Sequence, residues 1–399
     1  MKRSEMGRIY VDNNATTAVR PEVAEAMSGL LRGCYGNPST LYCIGQEAHV
    51  EMEHARDIMA EILGCHRDEI IFTSGGTESD NIAIQGVARA LRKKGNHIIT
   101  TKLEHHAVLN TCKALERDGW QVTYLGVDEQ GILDPAAVEA AITDQTVLIT
   151  VMHANNEIGT IQPIEEIGRI AKAHKITFHT DAVQSFGKLN TKVDDLGVDL
   201  LSASGHKIYA TKGIGLLYVR KGTKILPITF GGHQERSLRP GTENVPGIVG
   251  FGRAAELLTQ ESPEENERLR KLRDRLWEGV KAAIPHVRLH GHPDKRLVNT
   301  ASIGFEFVEG ESIILSLDDH GICAASGSAC TSDSLEPSHV LSAIGVPPER
   351  SHGAIRFSFG RENTEADVDK LLEVLPGVVG HLRSFSPIYK DFLKQQAGS

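Results

Sequence analysis

Three short segments carry residue types that could share one chemical task. The first reads Ser74-Gly75-Gly76-Thr77-Glu78-Ser79 and falls between a predicted strand and a predicted helix. Glycines at such a junction let backbone N–H groups approach an anion, and the helix dipole favours negative charge there. Because the segment lacks the Walker lysine and the GxGxxG spacing, a nucleotide site is disfavoured. It predicts a phosphate cradle at Gly76 and Thr77, with an ordinary helix cap as the alternative.

The other two segments place an acid and a lysine directly after hydrophobic strands. Asp181 follows the run that starts at Thr177, and Lys207 ends the sequence Ser204-Gly205-His206-Lys207. Taken singly, the acid could cap a helix and the lysine could be solvated. Taken with the cradle, they match what pyridoxal phosphate requires. A lysine forms an imine with its aldehyde, and a carboxylate keeps its ring nitrogen protonated.

The elements that must position these residues alternate between strand and helix. Strands are predicted near 69–72, 97–101, 121–125, 147–151, 177–180, 199–202 and 215–219, and helices near 77–94, 106–117, 135–142 and 164–174. This alternation predicts an α/β fold with a mostly parallel, doubly wound sheet. Ligands of such sheets lie at the carboxyl ends of the strands, where all three segments are found.

A second, smaller α+β domain is predicted after residue 260. Ser262-Pro263-Glu264-Glu265 is typical of a capping box with proline at the first helical position, so a helix should begin there. Further strands are predicted near 287–290, 300–305 and 354–358, and helices near 310–319, near 336–344 and from 364. We therefore predict a large cofactor-binding domain over 17–260. A small domain should comprise 261–399 with 1–16, whose residues 9–11 pack against it.

Composition excludes several classes of partner and of site. The 399 residues carry a net charge of −9 without a basic block, which disfavours nucleic acids and anionic membranes as partners. No apolar run is long enough for a membrane helix, and we expect a cytoplasmic protein. Six cysteines without CxxC pairing do not make a disulfide framework. No metal site is expected, because His286, His290 and His292 lack accompanying ligands.

Nearly the whole chain resembles one known family, the cysteine desulfurases of the pyridoxal-phosphate fold-type I aminotransferase superfamily, and especially their nitrogen-fixation (NifS) type. The segments that carry the resemblance are YVDNNATT (10–17), GNPS (36–39), TSGGTESDN (73–81), NNEIG (155–159), HTDAVQ (179–184), SGHK (204–207), RPGTEN (239–244), SGSACTS (326–332) and LEPSHV (335–340). The chain departs from the family at Tyr42-Cys43, where a histidine is common, and at Ala325. The resemblance implies a seven-stranded large-domain sheet and a homodimer.

The resemblance also implies roles for individual residues. Lys207 would hold the cofactor covalently, Asp181 would pair with its ring nitrogen, Gln184 would bond its ring oxygen, and His105 would stack on the ring, with His106 structural. The phosphate would be held by Gly76, Thr77, Ser204 and His206, joined by Thr242 from the other subunit. Asn156 and Arg356 would bind the substrate carboxylate. An ion pair within the small domain is the alternative for Arg356.

Cys330 is the predicted nucleophile. Its neighbours from 325 to 333 are small or polar without apolar periodicity, which predicts an exposed, mobile loop rather than core. A thiolate there suits attack on sulfur. The other five cysteines are expected to be small buried hydrophobic residues.

The implied reaction converts L-cysteine to L-alanine. Lys207 moves the α-proton, His105 shuttles protons, and the sulfur is left as a persulfide on Cys330. The persulfide would then serve an acceptor or scaffold protein for iron–sulfur cluster assembly. Two alternatives remain: a selenocysteine lyase or aminotransferase of the same superfamily, and a non-enzymatic iron–sulfur or metal carrier.

Overall fold

The computed structural model describes residues 7–326 and 337–397. Its strands are β1 (Ile9–Tyr10), β2 (Ile70–Thr73), β3 (His97–Thr101), β4 (Gln121–Leu125), β5 (Thr146–Thr150), β6 (Thr177–Asp181), β7 (Leu200–Ser204), β8 (Gly215–Val219), β9 (Val287–His290), β10 (Thr300–Phe305), β11 (Ile322–Cys323), β12 (Ala325–Ser326) and β13 (Ala354–Ser358). Most of them lie within two residues of the strands that the sequence predicts.

The helices separate these strands along the chain. They are α1 (Pro21–Gly33), α2 (Cys43–Leu63), α3 (Gly76–Leu91), α4 (His106–Arg117), α5 (Pro135–Ala140), α6 (Ile164–Ala173), α7 (Val193–Leu196), α8 (Val245–Ala283), α9 (Gly310–Asp319), α10 (His339–Ala343), α11 (Pro348–Ser351), α12 (Glu365–Phe385) and α13 (Pro387–Ala397). None of these described helices has both the length and the hydropathy of a membrane span.

Seven strands form the large sheet in the order β2-β8-β7-β6-β5-β3-β4. Strand β8 runs antiparallel to both of its neighbours, and the other pairings are parallel. Helices cover both faces of the sheet, so its central strands are buried throughout, as runs such as Val147-Leu148-Ile149 require. The predicted α/β class with a mostly parallel seven-stranded sheet is confirmed.

A separate antiparallel sheet, in the order β12-β13-β10-β9, lies towards the carboxyl end of the chain. Helices α8, α9 and α12 pack on it around a second hydrophobic core. Strand β1 pairs in parallel with β11, and Val11 is buried in the same core. The expected packing of residues 9–11 on this part of the chain is confirmed.

Helix α8 joins the two cores and corrects one prediction. It runs unbroken for 39 residues with Pro263 inside it, so no helix begins at residue 262. A proline inside a helix costs about 3 kcal/mol. Burial of apolar side chains before and after Pro263 offsets this cost, because Leu258 belongs to the first core and Leu269 to the second. The boundary that we predict between 260 and 261 falls within this helix, and the division into two domains stays a prediction.

Candidate active site

One cavity of about 330 Å³ lies at the carboxyl ends of β2, β3, β5, β6 and β7. Ten residues that the sequence singles out line it: Gly76, Thr77, His105, Asn156, Asp181, Gln184, Ser204, His206, Lys207 and Arg356. Thr242 is exposed and does not line the cavity of its own chain. Cys330 lies outside the described residues. The structure therefore brings most of the predicted site together around one space.

Lys207 ends a short 3₁₀ turn, Gly205–Lys207, that follows β7 directly. Its Nζ donates hydrogen bonds to the carbonyl oxygens of Asn14, at 2.6 Å, and Ala15, at 2.7 Å. The imidazole of His206 contacts the Thr16 hydroxyl at 3.1 Å. The segment that follows β1 thus lies over the lysine turn and orients the amine within the cavity.

Asp181 is the last residue of β6 and is almost completely buried. Burial raises the pKa of its carboxyl, whereas a hydrogen bond from the Val183 N–H and the nearby Lys207 ammonium favour the ionised form. A carboxylate held in this way can stabilise a protonated ring nitrogen. Gln184 lies three residues on, where its Nε2 donates to the Asn14 carbonyl while its Oε1 is buried without a hydrogen-bond partner.

His105 caps the amino end of α4, and its Nδ1 accepts the Ala107 N–H at 3.1 Å. Burial, together with the charge of Lys207, lowers the pKa of His105 to about 4. The ring is therefore neutral, and because Nδ1 is an acceptor its proton is on Nε2. A neutral imidazole of this kind can stack on an aromatic ring and can accept a proton.

The amino end of α3 opens into the cavity. Helix α3 has Gly75 as its N-cap, and no side chain caps its first backbone N–H groups. Gly75 has φ of 154°, a conformation that other residues rarely adopt, and a Cβ on Gly76 would come within 2.5 Å of the Val183 side chain. Thr77 and Ser204 add hydroxyl groups. This cradle fits a phosphate dianion.

Arg356 lies in the middle of β13 and is only 2% exposed. Its guanidinium pairs with Asp12 at 2.6 Å and donates to the backbone carbonyl of Asn156 at 3.1 Å, while its Nε has no hydrogen-bond partner. The ion pair that we considered as an alternative therefore exists. It leaves the guanidinium on the cavity wall with donor capacity that a second carboxylate can use.

Several residues that line the cavity were missed by the sequence analysis or assigned another role. They are Asn14, Asp80, His106, Met152, Glu157 and His339. The ring of His106 lies on the cavity wall, 4.8 Å from the ring of His339, and its structural role stays a prediction. Glu157 accepts a hydrogen bond from Ser338 at 2.5 Å, and burial raises its pKa to about 7. A signal was available for four of them, because Asn14, Asp80, Glu157 and His339 lie inside the quoted motifs.

The described cysteines do not share one environment. Cys112 is buried as expected, and Cys34, Cys65 and Cys323 are partly buried. The prediction is wrong for Cys43, which is exposed at the first turn of α2, because only one side of that helix faces the core. Within the described ranges, no cluster of three or more His, Cys, Asp or Glu side chains is arranged to hold a metal ion.

The side chains that line the cavity fit pyridoxal phosphate, and this fit does not depend on the sequence resemblance. A reactive amine, a buried carboxylate, a neutral imidazole and an uncapped helix end face one cavity, and the buried Oε1 of Gln184 lacks a partner there. Each group matches one part of the cofactor: its aldehyde, ring nitrogen, ring face and phosphate. The Oε1 atom of Gln184 can accept a hydrogen bond from a group in the cavity.

Comparisons with known proteins agree with this geometry. The sequence matches the family model described as aminotransferase class-V over residues 9–371. A cysteine desulfurase IscS from Methanosarcina thermophila is 55% identical over 385 residues, which cover 96% of this chain and 95% of that protein. A solved structure described as a NifS-like protein superposes with a TM-score of 0.89 at 40% identity, covering 94% of this chain and 100% of the other. Another, described as SspA in complex with cysteine, superposes with a TM-score of 0.79 at 39% identity and covers 88% and 98%.

Proposed function

The chain belongs to the class-V aminotransferase family, and we propose that it is a pyridoxal-phosphate-dependent cysteine desulfurase acting on L-cysteine. The observation that carries the proposal is the convergence of Lys207, Asp181 and the uncapped amino end of α3 on one cavity, with Arg356 on its wall. The cysteine desulfurase and the cysteine-bound structure among the similar proteins support the choice of substrate.

When bound, pyridoxal phosphate supplies an aldehyde carbon and an electron-withdrawing ring that make the α-proton of an amino acid acidic. Lys207 would hold the aldehyde carbon and would act as the base for the α-proton of the substrate. Asp181 would keep the ring nitrogen protonated, and Gln184 would form a hydrogen bond with the ring oxygen. His105 would stack on the ring and move protons. The phosphate would be bound by Gly76, Thr77, Ser204 and His206.

Arg356 and Asn156 orient the substrate through its carboxylate. A guanidinium binds a carboxylate through two parallel hydrogen bonds, which fixes direction as well as position. Asp12 holds the guanidinium in place at 2.6 Å.

Cys330 takes the sulfur. Its thiolate attacks the substrate Sγ, a sulfur–sulfur bond forms, and the Cβ–Sγ bond breaks with its electron pair passing to the substrate carbon. Protonation of that carbon leads to L-alanine, and the sulfane sulfur remains on Cys330. An acceptor or scaffold protein for iron–sulfur cluster assembly then receives it. A cytoplasmic location stays a prediction.

The decisive experiment follows both the carbon skeleton and the sulfur atom of the substrate. The purified holoenzyme should produce L-alanine and enzyme-bound sulfane sulfur in equal amounts from L-cysteine in a single turnover without reductant. A selenocysteine lyase would release alanine from selenocysteine and little from cysteine. An aminotransferase would form a keto acid instead, and a metal carrier would form none of these products. Any of these three results would refute the proposal.

The site is completed by a second copy of the chain. Thr242 is exposed in its own chain, in the long connection that leads from β8 to α8. Large apolar side chains are also exposed near α1 and α2 and within that connection: Leu31, Tyr35, Leu41, Tyr42, Val50 and Phe230. Exposed apolar surface of this kind is typical of a subunit interface. We therefore propose a homodimer in which Thr242 contacts the phosphate in the partner's cavity.

Mixed dimers test this shared site. A Lys207→Ala chain and a Thr242→Glu chain should each be nearly inactive, because the first lacks the amine and the second places a carboxylate against phosphate. Their heterodimer, isolated through two different tags, holds one site with both defects and one intact site. We expect about half of the wild-type activity per dimer. No recovery in the isolated heterodimer, with wild-type heterodimers prepared in parallel as the control, would contradict the shared site.

A further inference from the structure

A second buried carboxyl group, Asp80, lines the same cavity as Asp181. Asp80 lies in the second turn of α3 and is 1% exposed. Its Oδ1 is buried and has no hydrogen-bond partner. The proposed function gives Asp80 no task, and a polar atom buried without a partner in a native protein calls for an explanation.

The groups around Asp80 do not include a permanent cation. From β6, His179 Nε2 is 3.6 Å from Oδ1, and from β7 the Ser202 hydroxyl makes a hydrogen bond to the carboxyl group. Two other carboxyl groups act on it, those of Asp181 and of Glu104, and both disfavour a negative charge on Asp80. Glu104 is itself buried, and burial raises its pKa to about 8. Within the described residues, no lysine or arginine forms an ion pair with Asp80.

His179 does not serve as that cation. It is completely buried, with Nδ1 2.8 Å from the Thr150 hydroxyl and Nε2 3.0 Å from the Ser202 hydroxyl. Burial lowers its pKa to about 3, so its imidazole is neutral. Because His179 and Asp181 are two residues apart on β6, their side chains lie on the same face of the strand, which is the face that α3 covers.

Two buried carboxyl groups that line one cavity and repel each other cannot both ionise without a large electrostatic cost, and one of them usually keeps a proton. The two candidates differ in their surroundings. Asp181 accepts the Val183 N–H and is favoured in its ionised form by Lys207. Asp80 has the Ser202 hydroxyl as a hydrogen-bond donor but, among the described residues, no nearby ammonium group acting on it, and burial raises its pKa well above the ordinary range. The proton therefore belongs on Asp80.

We propose that Asp80 is a positioning residue that stays protonated in the resting holoenzyme, so that Asp181 is the one carboxylate of the pair that faces the ring nitrogen. This inference rests on the proposed pyridoxal-phosphate site. A neutral Asp80 supplies an O–H that can donate a hydrogen bond to the surrounding acceptors. It adds no second negative charge beside Asp181, so that the protonated ring nitrogen would face a single carboxylate.

Infrared spectra of the wild-type holoenzyme test the protonation state directly. We expect the C=O stretching band of a protonated carboxyl group at neutral pH, and labelling with ¹³C-aspartate should shift it. The band should disappear in Asp80→Asn and persist in Asp181→Asn. Absence of an aspartate-derived band in the wild type, or its loss only in Asp181→Asn, would overturn the proposal. Even if a variant folds poorly, the wild-type spectrum alone tests whether a protonated aspartate is present.

Cofactor binding gives a second readout that is independent of desulfurase turnover. Asp80→Asn is neutral like the protonated acid, so its dissociation constant for pyridoxal phosphate should stay within about threefold of wild type. Its cofactor absorbance should show an unchanged pH profile. Asp181→Asn, which removes the proposed carboxylate, should weaken binding by about a hundredfold and shift that profile. Equal weakening in both variants would show that Asp80 acts as an anion. If the wild-type protein did not bind pyridoxal phosphate, the proposed function itself would fail.

Discussion

Lys207→Ala is expected to lower L-alanine formation by a factor on the order of 10³ or more, because the variant loses both the amine that holds the cofactor and the base that moves the α-proton. The protein should still bind pyridoxal phosphate without a covalent bond. The uncapped end of α3, Ser204 and Asp181 do not depend on Lys207 for their positions. Turnover assays and an absorbance titration of cofactor into the apo-protein measure the two effects separately.

Lys188 is the matched control, since it offers a second amine close to the site. Burial, together with the charge of Lys207, lowers the pKa of Lys188 to about 7, which favours the uncharged form that can act as a nucleophile. It does not line the cavity, however. Lys188→Ala should keep most of the activity. Borohydride reduction of the holoenzyme followed by peptide mapping should label Lys207, and a label on Lys188 would refute the assignment.

The strands and the edge of the sheet that carries the site were predictable from local sequence. Runs such as Thr146–Thr150 are rich in β-branched residues and buried, so their composition marks the strands without knowledge of their neighbours. Asp181 and Lys207 follow such runs directly. In a parallel sheet, the carboxyl ends of the strands meet at one edge, which brings these residues together whatever the details of packing.

Contacts between distant parts of the chain were not predictable in this way. The pairing of Arg356 with Asp12, the carbonyl contacts of Asn14 with Lys207, and the continuation of α8 through Pro263 all depend on tertiary packing. Asp80 was missed for a related reason. On an amphipathic helix, a single acid is usually read as part of the solvated face, and only the packing of α3 against β6 and β7 buries it.

The chemistry of sulfur transfer is the part that depends on Cys330. Cys330→Ala is expected to bind pyridoxal phosphate and L-cysteine normally, because the described cavity contains the residues proposed for both. Formation of L-alanine should fall by about a thousandfold, since none of the five described cysteines lines the cavity. Cofactor absorbance on addition of L-cysteine should change as in the wild type, while alanine is quantified in parallel.

Cys323 provides the internal control for this last prediction. It lies in β11, where burial raises the pKa of its thiol, so a smaller fraction is present as the reactive thiolate. Cys323→Ala should therefore keep near wild-type activity. Mass spectrometry of wild-type peptides after a single turnover should find the added sulfur on Cys330. Sulfur on Cys323, or undiminished alanine formation by Cys330→Ala, would mean that the sulfur leaves the substrate without the proposed thiolate attack.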